Sequence, residues 1–253
     1  VWPRAVENVA KASRGALWRL SGSVSAELPL RAWPRALGRI HGLSVPQRVR
    51  PYPAPTPASP SNINILLELL DRVADVAGAI AECGVYRGAT LVALALHLRQ
   101  KRRRRIVYGF DSFEGFGESI VLDLKYERTL VDPSMKAGGF SDTSFELVAQ
   151  KSAAFGLSNV RLIKGYFETS LALCPETAFS FVHLDCDTYS AYRDCLNYFY
   201  GRLTPGAIVV FDEYDDPAWP GCNLAVDEFL SDKPERVTGI CRDNFVKSYI
   251  VKR

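Results

Sequence analysis

The sequence predicts an α/β protein built on a doubly wound, mostly parallel seven-stranded sheet with an N-terminal extension. Three observations carry this. Short apolar, β-rich runs alternate with helical periodicity five times from residue 62 onward. A glycine turn, Gly84-Val85-Tyr86-Arg87-Gly88, joins the first run to the helix that follows it. Two closing β-rich runs, 236–241 and Phe245–Val251, read as a reversed terminal hairpin.

The elements follow in order. A helix over about 62–76 places Ile63, Ile65, Leu66, Leu69, Leu70 and Val73 at near-helical spacing. Residues 79–82 form the first strand, and the helix after the glycine turn runs to about Gln100. The second strand, 106–110, ends at Asp111-Ser112-Phe113-Glu114-Gly115. Residues 113–141 have mixed periodicity and form an insert where a lid over a substrate would lie. Asp142 reads as the cap of a helix over 143–155. Strands over 159–165 and 179–184 come next, then a helix over 189–203. A Pro205-Gly206 turn precedes the fifth strand, 207–211, and a helix covers 225–232.

Length and composition suit one large soluble domain, 61–253, preceded by an arm and linker over 1–60. No apolar run approaches the length of a membrane span. The chain opens on Val1 without a signal-peptide pattern, and its six cysteines show no C-x-x-C spacing. They read as buried thiols in a reducing cytoplasm. Charge is uneven: residues 1–60 hold nine basic side chains against Glu7 and Glu27, so the remainder is net acidic by four. The arm carries Trp2, Trp18 and Trp33 and ends in the proline-rich run 51–57, an extended linker. It reads as packing on the domain or on a second subunit, which makes a homo-oligomer an expectation; the other reading is contact with an anionic membrane or nucleic acid. Its charge density is modest for a dedicated nucleic-acid binder, and no such partner is expected. The basic run 101–105 reads as a solvated turn.

The chemistry is concentrated at strand ends. Val182-His183-Leu184-Asp185-Cys186-Asp187 and Val209-Val210-Phe211-Asp212-Glu213 are apolar runs that stop abruptly in carboxylates. As neighbouring parallel strands they bring Asp185, Asp212 and Glu213 to the carboxyl edge of the sheet, where open α/β sheets bind ligands. Converging carboxylates suit a hard cation, magnesium or calcium; the alternative is acids that point into water. The turn after Glu82 lacks the G-x-G-x-x-G spacing that holds a pyrophosphate. Glu82 fits instead a ligand with a cationic amine, such as the methionyl end of S-adenosylmethionine. Gly84 and Gly88 let backbone approach that ligand. Asp111, about 20 residues on, is placed for a ribose diol, or else serves as a helix N-cap.

Together these motifs, with Leu203-Thr204-Pro205-Gly206 and Pro220-Gly221-Cys222 before Ala225-Val226-Asp227-Glu228-Phe229, resemble the macrocin O-methyltransferase family over about residues 62–250. The resemblance implies a class I, Rossmann-like methyltransferase that uses S-adenosylmethionine and Mg2+ to methylate a sugar hydroxyl of a small-molecule glycoside. By position it implies cofactor contacts from Glu82, Gly84, Val85, Tyr86, Gly88, Asp111 and Ser112, with Tyr166 or Phe167 against the adenine. It implies metal ligation by Asp185, Asp212 and the acid after Asp212, which here is Glu213 where the family usually has a second Asp. Asp187 is the first candidate for the base that deprotonates the acceptor and Asp185 the second, with His183 a minor one. The rival readings are a catechol-type O-methyltransferase, separated only by its acceptor, and a methyltransferase fold used as a binding module. A nicotinamide oxidoreductase would want the missing fingerprint.

Overall fold

A computed structural model describes residues 60–118, 120–126, 135–242 and 245–253; the predicted arm over 1–60 lies outside the described residues but for Pro60. Chain order is α1 (Pro60–Arg72), β1 (Ala79–Cys83), α2 (Ala89–Gln100), β2 (Val107–Asp111), the short α3 (Ile120–Asp123), α4 (Phe145–Ala154) and β3 (Val160–Lys164). Then come the one-turn α5 (Phe167–Ser170), β4 (Phe179–Leu184), α6 (Tyr189–Phe199), β5 (Leu203–Phe211), α7 (Pro220–Leu230), β6 (Thr238–Arg242) and β7 (Phe245–Val251). The sheet order is β3-β2-β1-β4-β5-β7-β6. Strands β1 to β5 pair in parallel, and β7 runs antiparallel to both β5 and β6. The predicted doubly wound sheet with its reversed final hairpin is therefore the observed one.

Both faces of the sheet are covered, which is why its central strands are mostly apolar rather than alternating with polar residues; Glu82, Ser180 and His183 are the exceptions in β1 and β4. Ile80, Val107, Phe181, Ile208 and Val210 pack under α1, α2 and α4. Ala81, Cys83, Phe110, Val182, Leu184, Val209 and Phe211 pack under α6 and α7. Each fully buried Leu, Ile or Phe contributes about 1.5–3 kcal/mol. The winding direction reverses between β1 and β4, so loops that leave these two strands diverge and open a crevice at their carboxyl ends.

Several boundaries differ from expectation for physical reasons. Pro205 and Gly206 are not a turn but lie inside β5, which begins at Leu203. Gly206 takes a left-handed φ of 87° there, and its amide donates to Lys252 O at 2.8 Å. Ser144 rather than Asp142 caps α4, its Oγ accepting from the Leu147 amide at 3.1 Å. Helix α7 starts at Pro220, where a missing N–H costs nothing in the first turn. The basic run is not merely solvated: Arg103 pairs with Asp71 at 2.7 Å, and Arg105 donates to Ala74 O and Ser180 Oγ at 2.6 and 2.8 Å.

Glu235 fastens the terminal hairpin. Its buried carboxylate accepts from Tyr200 at 2.7 Å and from Lys252 Nζ and the Arg253 amide at 3.0 Å each. Burial pushes this carboxyl up, but those donors together outweigh it and hold the pKa at about 2 against an ordinary 4.5. A depressed pKa adds stability that is present above about pH 4.5 and lost as pH falls through about 2. Glu235→Gln should therefore cost about 1–3 kcal/mol at neutral pH. Thermal unfolding of the two proteins should differ at pH 7 and converge as pH approaches 2.

Candidate active site

The glycine turn is shaped by what lies beneath it. Gly84 has a φ of 87°, and a Cβ there would sit 1.6 Å from the Asp185 carbonyl oxygen. Only glycine lets the β1 loop cross the β4 loop this closely. The next residues are tied to Asp111, whose Oδ2 accepts from the Tyr86 amide at 2.7 Å and whose Oδ1 accepts from the Phe113 amide at 2.5 Å. Burial raises the Asp111 pKa while these amides oppose the rise. Ser112 Oγ donates to Gly115 O at 2.8 Å. Asp142, freed from capping, instead takes the Tyr86 hydroxyl and the Arg87 guanidinium, which binds the front of the turn to the end of the 113–141 insert.

A row of alternating charge crosses the sheet beside this turn. Glu82 pairs in register with His183, and both side chains lie on the face that carries Ile80 and Phe181. His183 Nδ1 lies 3.2 Å from Glu82 Oε1, and Nε2 lies 3.0 Å from Asp212 Oδ1. Lys247 of β7 reaches the same Oδ1 from the other side. The β5–β7 register explains the meeting: Phe211 faces Ser248, and Asp212 and Lys247 are the next pair along. Burial alone would depress His183, but carboxylates on both ring nitrogens lift its pKa to about 9, so both nitrogens donate at neutral pH. Burial would raise Asp212; Lys247 and His183 outweigh it and hold this carboxyl far below its ordinary value. Glu82 moves up instead, chiefly from burial.

The remaining acids gather one step outward. Carboxylate oxygens of Asp185, Asp187 and Glu213 lie within 4.8 Å of one another. Asp185 and Glu213 are both pushed well up, first by burial and then by neighbouring carboxylates. The fully buried Tyr192 hydroxyl supports the group: it lies 2.5 Å from Glu213 Oε2 and accepts from the Asp212 amide at 3.1 Å. Asp187 has a left-handed φ of 66°, and its carbonyl accepts from the Cys222 thiol at 2.9 Å. Thr188 then caps α6 by accepting from the Ala191 amide at 3.3 Å. A non-glycine residue in that conformation costs free energy and marks a position under constraint.

One cavity of about 410 Å³ joins these parts. Of the predicted site residues, Glu82, Gly84, Val85, Tyr86, Asp111, Ser112, Tyr166, Phe167, Asp185, Asp187, Asp212 and Glu213 all line it. Gly88 does not; it is the N-cap of α2 with a φ of 76°, where an added Cβ would meet Val148 at 2.7 Å. Tyr166 is the most open of the set, with 38% of its surface exposed. Phe116, Phe140 and Trp219 add an aromatic wall that single-sequence patterns do not announce. The structure gives His183 a central place, where the sequence made it a minor candidate. Lys247 carries no signal of its own; only the register of an antiparallel hairpin could have found it.

Related proteins agree with this architecture. The chain is 30% identical over 162 residues to mycinamicin III 3''-O-methyltransferase of Micromonospora griseorubida, a match covering 61% of each protein. It is also 30% identical over 160 residues to 8-demethyl-8-(2,3-dimethoxy-alpha-L-rhamnosyl)-tetracenomycin-C 4'-O-methyltransferase of Streptomyces olivaceus, covering 61% of this chain and 58% of that one. The chain thus matches about three fifths of the length of these relatives. Among solved structures it is similar in fold to the O-methyltransferase NovP, with a TM-score of 0.66 and 22% identity over 98% of both chains. It is likewise similar to the calicheamicin methyltransferase CalS11, with a TM-score of 0.62 and 25% identity over 89% of this chain and 94% of that one. Residues 55–238 match the family described as Macrocin-O-methyltransferase (TylF), and the chain belongs to it.

Proposed function

We propose that the chain is an S-adenosylmethionine-dependent O-methyltransferase acting on a sugar hydroxyl of a small-molecule glycoside, assisted by Mg2+. The observation that carries the donor assignment is Glu82: it is 1% exposed, lines the cavity, and its Oε2 is buried without a hydrogen-bond partner among the described residues. A buried carboxylate oxygen left unpaired is costly, and a cationic amine would satisfy it. One relative's name, which gives a rhamnosyl-bearing tetracenomycin as the methyl acceptor, supports the acceptor class. For the metal, carboxylate oxygens of Asp185, Asp187 and Glu213 lie within 4.8 Å of one another, the kind of donor set a hard divalent cation prefers, with Asp212 outside that group. Asp185 and Glu213 would hold it, with Asp212 through Oδ2, since His183 and Lys247 both occupy Oδ1.

When bound, S-adenosylmethionine supplies the methyl group and Mg2+ lowers the pKa of a ligated hydroxyl. The chain's own residues do the rest. Asp187 takes the hydroxyl proton at its carboxylate, held toward the cavity by its left-handed backbone and the Cys222 thiol. Glu82 and Asp111 orient the donor from the β1 and β2 ends. Described residues of the insert, Phe116, Ile120 and Phe140, wall off the acceptor side from water, which we read as a lid. Asp123 anchors it by accepting from the Ser190 amide at 2.8 Å and from Ser190 Oγ at 2.6 Å, at the first turn of α6.

Titration calorimetry with S-adenosylmethionine tests the reading. Donor binding in the micromolar range is expected, weakened about 10- to 100-fold by Glu82→Gln, as befits a hydrogen bond to a charged group. Methylated glycoside should then be detectable by mass spectrometry in the presence of Mg2+. A protein that binds no donor is not a methyltransferase.

A further inference from the structure

Glu82, Asp185, Asp187, Asp212 and Glu213 are five of the ten carboxylates that line one cavity, and they gather at the ends of β1, β4 and β5. Within the charge row that crosses the sheet, the cations are His183 and Lys247. Lys247 is only 3% exposed, an unusual state for a lysine unless it is paired. Its ammonium meets Asp212 at the oxygen that His183 also uses. Among the described residues Asp212 Oδ2 takes no hydrogen bond, so the pair fixes this carboxylate by one oxygen and leaves the other toward the cavity. His183 is already flanked by Glu82 and Asp212 and balances only one of them. Without Lys247, the nearly buried Glu82 and Asp212 would share the single charge of His183 beside the other acids, a costly arrangement.

Resting on the metal reading above, we propose that Lys247 is a resident counter-charge for the acid cluster, which lets the site fold without a divalent cation and weakens the site's affinity for that cation. A fixed positive charge on a carboxylate that would hold the cation repels it, in a nearly buried setting where screening is poor. Lys247 is thus a positioning residue: it acts on the site through Asp212.

The test compares wild type, Lys247→Met and the double variant Lys247→Met/Asp212→Asn. It uses thermal unfolding in chelator and in Mg2+, and direct titration of Mn2+ followed by electron paramagnetic resonance. Lys247→Met should unfold at lower temperature than wild type in chelator, regain stability in Mg2+, and bind Mn2+ about tenfold more tightly. The double variant removes both charges, so it should regain stability in chelator and bind Mn2+ more weakly than Lys247→Met. If Lys247→Met does not fold even with Mg2+, the double variant decides: a folded double variant supports the charge role, and an unfolded one overturns it. Mn2+ affinity unchanged by Lys247→Met, in a wild type that binds the ion, overturns this proposal alone. A wild type that binds no Mn2+ sinks the metal reading and this proposal with it.

Discussion

Asp187→Asn is expected to lower turnover by about 10²- to 10⁴-fold, the range lost when a general base is removed. The substitution is chosen to change as little else as possible. Asparagine tolerates a left-handed backbone nearly as well as aspartate, so the φ of 66° at this position survives. The Cys222 thiol bonds the carbonyl rather than the side chain, so it survives too. The loss should therefore fall on kcat, with donor affinity and Mn2+ affinity changed by no more than a few-fold. The limb of the pH–rate profile set by the base should also disappear. Asp185→Asn is the contrast: it should weaken cation binding as well. Full turnover by Asp187→Asn would pass the base role to Asp185, the second candidate.

Gly84→Ala should have the largest structural effect of any glycine-to-alanine substitution among the described residues. The new Cβ would meet the Asp185 carbonyl oxygen at 1.6 Å and its carbon at 2.6 Å. Both are backbone atoms, so no rotamer change relieves the clash, and the φ of 87° adds strain. A cost above about 4 kcal/mol is expected, in the exceptional class of point substitutions. If the variant folds at all, the β4 loop must move and carry Asp185 with it, so donor and cation binding should fail together. Gly201→Ala is the control. It adds a methyl where nothing lies within 4 Å, and it should shift stability by no more than about 0.5 kcal/mol. Circular dichroism melts of the two variants read the difference directly.

The order of the main helices and strands is legible in the sequence because the central strands are mostly apolar runs, broken in β1 and β4 only by Glu82, Ser180 and His183, and the helices between them are long enough to stand apart. The acids are legible for a related reason: a charged residue that ends an apolar strand can only lie at the sheet's edge. Pro205-Gly206 misleads because that dipeptide usually marks a turn, yet β5 accommodates it near its start, where the chain still pairs with Lys252. Asp142 misleads because capping depends on which side chain faces the helix, and Ser144 does. The place of His183 depends on strand register, which puts it between Glu82 on one side and Asp212 on the other. Lys247 is further removed. Nothing near it in sequence is unusual, and its meaning comes from a partner 35 residues away on an antiparallel neighbour.

That separation also orders events during synthesis. Glu82, Asp185, Asp187, Asp212 and Glu213 all precede Lys247 in the chain, so a growing polypeptide carries every acid of the cluster before it carries the lysine. The five parallel strands can pair as soon as Phe211 is made, but β7 has to dock against β5 before Asp212 meets its ammonium. The acid edge therefore cannot close before β7 is made, and a sheet of β1 to β5 without it would present the unpaired edge of β5, the kind of surface that invites misassembly.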